Sequence, residues 1–192
     1  MNVETEALLL ENNINYENFT PSALKELPSH SKESPYQIPK EEFKKRKDMR
    51  NVLTMSIDPI GCVDIDDTLS CRELGNGNIQ IGVHIADVTA FVKLNSSLDL
   101  EARKKSTTIY LIDRRLDMLP SLLSTDLCSL HQKQDRYAVS VIWEFTPEGV
   151  VKNQWFGRTI INSDYSLHYD QAQDIIDGRE TEKVEVRKKS IC

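Results

Sequence analysis

Short apolar runs separated by turn residues recur along the chain, a pattern typical of strands joined in hairpins. Two pairs of runs stand out, 70–74 with 79–85 and 137–145 with 150–161. Between the runs lie two turn-forming sequences, Gly75-Asn76-Gly77-Asn78 and Thr146-Pro147-Glu148-Gly149. The pattern therefore predicts two antiparallel hairpins.

Helices are predicted beside these strands. Apolar residues recur at helical spacing over 166–176, and Gly178 follows as a helix stop. The run DLEARKK (99–105) has Asp99 and Glu101 in its first turn and bases in its last, as the helix dipole favours. Pro39, followed by KEEFKKRKDMR, predicts a further helix start. The predicted fold class is mixed α/β, with a largely antiparallel sheet and flanking helices.

Four aspartates lie within ten residues, directly after a predicted strand at Val52–Ile57: Asp58, Asp64, Asp66 and Asp67. Carboxylates so close together repel one another unless a cation or shared protons compensate, and Mg²⁺ binds oxygen ligands of this kind. On a regular strand Asp67 would point away from Asp64 and Asp66. Convergence of all four needs a kinked backbone, which Pro59 and Gly61 permit. The segment predicts a metal site.

Alternatives to a Mg²⁺ site remain open for this acidic segment. A solvated acidic loop is the simplest, since runs of charge are usually solvated. A calcium loop fits poorly, because the required Gly and Glu are missing from their positions. A haloacid-dehalogenase-type phosphotransferase carries a DxDxT signature, which Asp64–Thr68 matches, with the first Asp as nucleophile and the second as acid/base. There the motif ends an apolar strand and opens into a helix, whereas here a hairpin is predicted next.

Longer motifs favour a different family. Five segments, in this order, closely resemble the catalytic (RNB) domain of the RNase II/RNase R family: DPIGCVDIDDTLS (58–70), VHIADVTAFV (83–92), DLEARKKSTTIYLIDRRLDMLPSLLSTDLCSL (99–130), DRYAVSVIWEF (135–145) and WFGRTIINSDYSLHYDQAQDIIDG (155–178). The resemblance covers roughly Lys44 to Gly178. It is greatest to the eukaryotic, exosome-associated branch of the family, and to its cytoplasmic members in particular.

The resemblance implies a hydrolase that removes nucleoside 5′-monophosphates processively from the 3′ end of single-stranded RNA, in the exosome-linked degradation of RNA, including mRNA. It implies Mg²⁺, or Mn²⁺ in its place, as cofactor. Two metal ions about 3.5 to 4 Å apart would activate the attacking water and stabilise the leaving 3′ oxygen. Asp58, Asp64, Asp66 and Asp67 match the four carboxylates that serve as catalytic residues and metal ligands in the family. Asp66 matches the family position whose replacement is expected to abolish activity while RNA binding is retained.

Three further residues are candidates for RNA binding. Tyr110 matches the position where an aromatic ring of the family stacks on a base near the 3′ end, which is worth roughly 1 to 3 kcal/mol per base. From composition alone, a strand tyrosine packed in the core is the alternative. Arg114 and Arg115 are forked donors that suit phosphate, with a solvated turn as the alternative. His84 and Asp87 are interpreted as structural, with the His hydrogen-bonded within a strand and the Asp at its end.

Composition narrows the possible partners and compartment. With 24 basic and 30 acidic side chains, the net charge of −6 is unlike that of a protein that binds RNA by general electrostatics. RNA affinity would then come from local basic stretches, 40–50 and 103–105.

The four cysteines show no zinc spacing and predict reduced thiols. No apolar run approaches the about 18 residues of a membrane span, and no signal peptide is recognisable. We expect a cytoplasmic protein that binds single-stranded RNA and the exosome core, with neither a membrane nor DNA as a partner.

The domain organisation is predicted in four parts. Residues 1–13 are interpreted as the end of a cold-shock/OB-type domain, with Ala7–Leu10 in its last strand. Residues 14–43, rich in Pro, Ser and Asn, form a connecting segment, and 44–178 form the N-terminal portion of the RNB domain. The charged tail 179–192 is unmatched, which favours an alternative terminus or a truncated product. The second hypothesis is therefore a catalytically incomplete fragment that binds RNA or exosome subunits.

Overall fold

The computed structural model describes residues 3–14 and 16–179. The chain divides into two compact units, one formed by residues up to 36 together with 88–124, the other by 37–87 together with the chain from 125 onward. Within the described ranges no helix has the length and apolar character needed to cross a membrane. The charged tail predicted for 179–192 lies outside the described residues from position 180.

The described residues contain nine strands in two sheets: β1 Lys47–Asp48, β2 Thr54–Asp58, β3 Asp67–Glu73, β4 Ile79–Ala86, β5 Ile109–Tyr110, β6 Arg115–Leu116, β7 Asp135–Phe145, β8 Val151–Asn162 and β9 Tyr165–His168. Seven strands form one sheet in the order β1-β8-β7-β4-β3-β2-β9, and β5 with β6 forms a ribbon in the other unit. Only the β1–β8 and β2–β9 pairs of the larger sheet are parallel. The predicted mixed, largely antiparallel fold and both hairpins are confirmed.

In the part of the chain that the structure describes, five α-helices accompany the strands: α1 Val3–Glu11, α2 Pro21–Leu24, α3 Glu42–Lys45, α4 Ser97–Lys105 and α5 Tyr169–Ile176. The acid-to-base helix is confirmed as α4, and the Ser96 side chain accepts a hydrogen bond from its first turn. A 3₁₀ turn at Val88–Ala90 and a π-helical turn at Leu123–Leu127 complete the structure.

One predicted element is wrong in type, and one helix begins three residues later than predicted. The strand expected at Ala7–Leu10 lies in α1, because Glu, Ala and Leu are strong helix formers and no neighbouring strand pairs with them. The helix predicted from Ser166 begins only at Tyr169, because 165–168 pairs in parallel with β2 as strand β9. Pairing with a strand more than a hundred residues away outweighs local helical periodicity there.

The buried face of the larger sheet carries a row of polar side chains, Ser70, His84, Ser140 and Thr159, which we call the polar row. All four are at most 4% exposed. The two ring nitrogens of His84 lie 2.8 Å from Ser70 Oγ and 2.6 Å from Ser140 Oγ, and Ser140 Oγ lies 2.6 Å from Thr159 Oγ1. A Cβ at Gly82 would lie 2.5 Å from Ser70 Oγ, so only glycine leaves room for this contact.

Burial lowers the pKa of His84 to about 4, from an ordinary value of 6.5. The unfolded chain therefore binds this proton at a higher pH than the folded chain, and stability is lost as pH falls from 6.5 towards 4. We expect the free energy of unfolding to drop by about 2 kcal/mol from His84 alone between about pH 7.5 and pH 5. Urea unfolding at both pH values measures this drop. The free energy of unfolding of a His84→Asn variant should depend less on pH by the same amount. An equal slope in both proteins would contradict this assignment.

The opposite face of the sheet is apolar and exposed. Its exposed residues, which we call the apolar face, are Leu69, Ile81, Ile85, Val139 and Phe156. By strand pairing Ile85 lies opposite both Asp67 and Val139, so the carboxylate of Asp67 lies at the border of this face. The main apolar core of this unit is formed by Met49, Val52, Ile65, Leu130, Ala138, Ile142 and Ile161, and it adjoins the polar row, since Ala138 and Ile142 flank Ser140 on the buried face of β7.

Candidate metal centre

The segment 59–66, which we call the acid loop, joins β2 to β3. A tight turn opens it, in which the Cys62 amide donates to the Pro59 carbonyl at 3.2 Å. Gly61, at the third position of this turn, has φ +85°, a conformation that favours glycine. The predicted backbone kink at Pro59 and Gly61 is confirmed. It turns the chain between Asp58 at the end of β2 and Asp67 at the start of β3.

Three of the four predicted aspartates are close enough to the Cys62 thiol for their charges to act on it. Burial, followed by the negative charges of Asp58, Asp64 and Asp66, raises the pKa of Cys62 above its ordinary value. The thiol also lies 3.7 Å from the Asp64 carbonyl oxygen and 3.9 Å from its carboxylate. The acid loop therefore concentrates negative charge in one small region. Asp67 is exposed on β3, next to this region in sequence.

These carboxylates do not form a ready-made ligand cage. Across residues 3–14 and 16–179, no group of three or more His, Cys, Asp or Glu side chains is arranged to hold a metal ion. One carboxylate oxygen nevertheless fits a cation, because Asp58 Oδ2 is buried and has no hydrogen-bond partner. Mg²⁺ usually keeps several waters and takes only one or two protein carboxylates directly. Half-buried Asp58 and Asp64 beside exposed Asp66 and Asp67 suit such a hydrated ion.

We expect Asp58→Asn to stabilise the chain by about 1 kcal/mol in EDTA, because it removes charge from a crowded, partly buried site. Mg²⁺ should stabilise the parent protein by about 1.4 kcal/mol at ten times its dissociation constant, and the variant by less. Thermal unfolding with and without Mg²⁺ measures both effects. Asp170→Asn, at an exposed carboxylate in α5, is the matched control. Equal stabilisation of Asp58→Asn and parent by Mg²⁺ would exclude Asp58 as a ligand.

Backbone contacts hold the acid loop against its own unit. Ser129 Oγ accepts a hydrogen bond from the Ile65 amide at 2.9 Å and donates one to the Val63 carbonyl at 3.0 Å. The Leu130 amide donates to the Ile65 carbonyl at 2.9 Å, and the Ala86 amide donates to the Asp66 carbonyl at 2.9 Å. Sequence reasoning did not identify Ser129. No local pattern marks a serine whose partners lie more than sixty residues away.

The structural interpretation of His84 and Asp87 is confirmed. Asp87 follows the last residue of β4 and forms an ion pair of 2.7 Å with Arg46, with side chains 0% and 2% exposed. Arg46 also contacts Glu42 at 3.0 Å and lies 4.4 Å from the centre of the Tyr137 ring. Burial acts to lower the pKa of Arg46, but hydrogen bonds to Glu42 and Asp87 outweigh it, so the net shift is upward.

Several bases of the predicted RNA-binding stretches are already paired. In 40–50, Lys45 and Arg46 contact Glu42, and Arg50 contacts both Asp48 and Asp135. In 103–105, Arg103 pairs with Asp99 within α4. Because these charges are compensated locally, the two stretches offer less positive potential to RNA than their sequences indicate.

The predicted RNA contacts Tyr110, Arg114 and Arg115 all lie in the other unit. Tyr110, in β5, is 69% exposed, so the alternative of a tyrosine packed in the core is wrong. Arg114 is exposed and pairs with Asp113 at 2.7 Å, and Arg115, in β6, pairs with Asp117 at 2.5 Å. The ribbon therefore presents one aromatic ring and two arginines whose charges are partly compensated.

The segment Asp64–Thr68 runs into strand β3, not into a helix, which is the wrong context for the haloacid-dehalogenase motif. A family model described as the RNB domain instead matches residues 46–191. The match extends past Gly178, where the resemblance drawn from motifs ended. It includes the acid loop, the polar row and the Arg46–Asp87 pair.

Curated relatives are similar to this chain over most of its length. The chain is 46% identical over 173 residues to DIS3-like exonuclease 2 of Xenopus tropicalis, covering 90% of this chain and 20% of the relative. It is 45% identical over 175 residues to the human exosome complex exonuclease RRP44, covering 91% and 18%. It is also 45% identical over 173 residues to an Arabidopsis thaliana protein named inactive exonuclease DIS3L2, covering 90% and 16%. The chain thus spans about a fifth of the length of these relatives.

The fold is shared with solved structures. Mycoplasma genitalium RNase R in complex with ribose-methylated single-stranded RNA aligns with a TM-score of 0.79 at 28% identity, covering 95% of this chain and 28% of that one. The fold of this chain thus matches a little over a quarter of that RNase R chain. Since the RNB model matches most of its length, this chain belongs to the RNB domain family.

Proposed function

We propose that this chain carries the acidic half of the active site of a 3′ to 5′ exoribonuclease, which hydrolyses single-stranded RNA to nucleoside 5′-monophosphates. One observation above all supports the proposal. Inside a domain matched by the RNB model, Asp64 and Asp66 of the acid loop and Asp58 before it all act on the pKa of Cys62, and Asp58 keeps a buried oxygen without a hydrogen-bond partner. Burial of such an oxygen costs folding free energy unless a cation or a hydrogen-bond donor contacts it.

Asp58, Asp64, Asp66 and Asp67 are the residues that would hold Mg²⁺, or Mn²⁺ in its place. When bound, the metal would supply Lewis-acid stabilisation of the phosphate and a more acidic attacking water. The chain's own part is to orient the scissile phosphate beside the acid loop. Exposed Asp66 and Asp67 are better placed to accept a proton from the attacking water than the partly buried Asp58 and Asp64, and we assign this role to Asp66 because it matches the family position whose loss abolishes activity.

RNA binding would rest on local contacts, since the net charge is −6. The exposed ring of Tyr110 offers a stacking surface that any base can use, which suits an enzyme without sequence preference. Arg114 and Arg115 add forked donors for phosphate at the cost of their present pairs with Asp113 and Asp117. Location in the cytoplasm and association with the exosome core are parts of the same proposal. Association with the exosome is supported by the names of relatives such as the human exosome complex exonuclease RRP44.

A second candidate is a catalytically incomplete chain that binds RNA or exosome subunits without turnover. The lack of a ready-made ligand cage in the described residues favours it, as does the name of the inactive Arabidopsis relative. In this case the acid loop would be retained for the fold of the domain, and Tyr110 would still bind bases.

The test follows single-stranded RNA labelled at the 5′ end, incubated with the purified chain and Mg²⁺. Progressive shortening of the label, with immediate release of mononucleotide from a 3′-labelled copy, is the expected result. EDTA should stop both. Tight RNA binding by fluorescence anisotropy without shortening would favour the incomplete chain. Internal cleavage, visible as short 5′-labelled products appearing first, would contradict the exonuclease.

A further inference from the structure

Ser129 is fully buried, at 0% exposure, and directs its hydroxyl into the acid loop. The hydroxyl is both acceptor and donor there, since it accepts a hydrogen bond from the Ile65 amide and donates one to the Val63 carbonyl. These two groups flank Asp64 on either side. A single side chain thus bridges the backbone across one of the proposed ligands.

The neighbouring residues complete the contact. The Leu130 amide donates to the Ile65 carbonyl, so both backbone groups of Ile65 are bound to the 129–130 segment. Ile65 and Leu130 are also 4% and 1% exposed members of one core cluster. With its side chain in the core and its backbone held on both sides, Ile65 has little freedom. Asp64 and Asp66 are attached to it directly, so their directions depend on it.

Ser129 is itself held in place. The Arg136 side chain, 9% exposed, donates from Nε to the Ser129 carbonyl at 2.9 Å. Arg136 lies on β7, an interior strand of the larger sheet, and also contacts Asp126 at 3.3 Å. The series Arg136, Ser129, Ile65 therefore connects a central strand to the acid loop.

From this geometry we infer that Ser129 is a positioning residue of the metal centre, which sets the directions of Asp64 and Asp66 without touching metal or RNA. The inference rests on the proposed function, because it assigns Ser129 a role toward the same carboxylates. Groups that orient metal ligands typically change metal affinity by about 10- to 100-fold when they are removed. Ser129→Ala should therefore weaken metal binding by about tenfold.

The experiment measures Mn²⁺ binding to the full chain by electron paramagnetic resonance, together with thermal unfolding of each protein. Ser163→Ala is the matched control, since Ser163 is 2% exposed and donates to a backbone carbonyl, that of Tyr165, at 3.1 Å. Ser129→Cys is the second variant, because it keeps the shape of the side chain while bonding weakly. We expect both Ser129 variants to lose Mn²⁺ affinity, and Ser163→Ala to lose stability only.

The outcomes separate the two proposals. Wild-type binding of Mn²⁺ that Asp66→Asn removes, with unchanged affinity in folded Ser129→Ala or Ser129→Cys, would overturn the positioning role and leave the proposed function standing. Equal losses of Mn²⁺ affinity in the Ser129 variants and in Ser163→Ala would also overturn it, because removal of any buried serine hydroxyl would then weaken metal binding. Absence of an Asp66-dependent Mn²⁺ site in the wild type would refute the metal centre itself, and the positioning role with it.

Discussion

Replacement of Asp66 with asparagine is expected to slow the shortening of RNA by on the order of 10³-fold, within the range for loss of a positioned acid–base or charge-stabilising group. Asparagine keeps the shape of the side chain but has neither the negative charge nor the capacity to take up a proton. RNA binding should be retained, because Asp66 adds no attraction for phosphate. Single-turnover shortening of 5′-labelled RNA and anisotropy with the same RNA measure the two effects.

Asp170→Asn is the control for this experiment, since it removes one negative charge from an exposed position in α5. Its shortening rate should match that of the parent. A similar fall in both variants would mean that net charge, not the acid loop, sets the rate. Loss of RNA binding in Asp66→Asn alone would assign this residue to the binding of RNA instead of the chemistry.

The second large effect concerns stability. Asp87→Ala is expected to destabilise the fold by about 3 to 5 kcal/mol, because it leaves the Arg46 guanidinium buried without its closest partner. Whole domains are stable by only about 5 to 15 kcal/mol, so a large share of the variant would unfold at moderate temperature. Urea unfolding at neutral pH, followed by circular dichroism, measures the change.

An exposed ion pair in the same unit provides the comparison. Asp48 and Arg50 lie 2.7 Å apart, with side chains 40% and 36% exposed, so Asp48→Ala should cost no more than about 1 kcal/mol. The double variant Arg46→Met/Asp87→Leu should recover much of the lost stability, since it leaves no uncompensated charge. Equal effects of Asp87→Ala and Asp48→Ala would show that the buried pair contributes no more than an exposed one.

Local signals in the sequence predicted the hairpins and α4 well. Turn residues such as Asn76-Gly77 and the acid-to-base order of 99–105 act over a few residues, where sequence patterns carry most of their information. Strand β9 was missed because its partner β2 is distant in the chain, and only the assembled sheet offers that pairing. The apolar run in α1 is as typical of a strand as of a helix, and only its Glu, Ala and Leu content favours the helix that the structure shows.

Some residues of the candidate site could be predicted from the sequence and others could not. The four aspartates and the kink at Gly61 were visible in the sequence, because both depend on neighbouring residues. Ser129 and the Arg46–Asp87 pair were not, since each joins segments 41 or more residues apart. The pairing of bases in 40–50 with nearby acids also depended on the structure, because spacing alone does not show which side chains meet.

The polar row has a consequence for how the strands find their alignment. In the centre of the sheet, the buried face carries Thr68, His84 and Ser140, while the apolar face carries Leu69, Ile85 and Val139. A slip of one residue would therefore bury more apolar surface than the native register does, so hydrophobicity alone selects the wrong pairing. A slipped β4 would place an aliphatic side chain against the Ser70 hydroxyl and leave that hydroxyl unsatisfied, at about 1 to 3 kcal/mol. Side-chain hydrogen bonds, not burial, thus encode the register that brings Asp58 and Asp67 to the same end of the sheet.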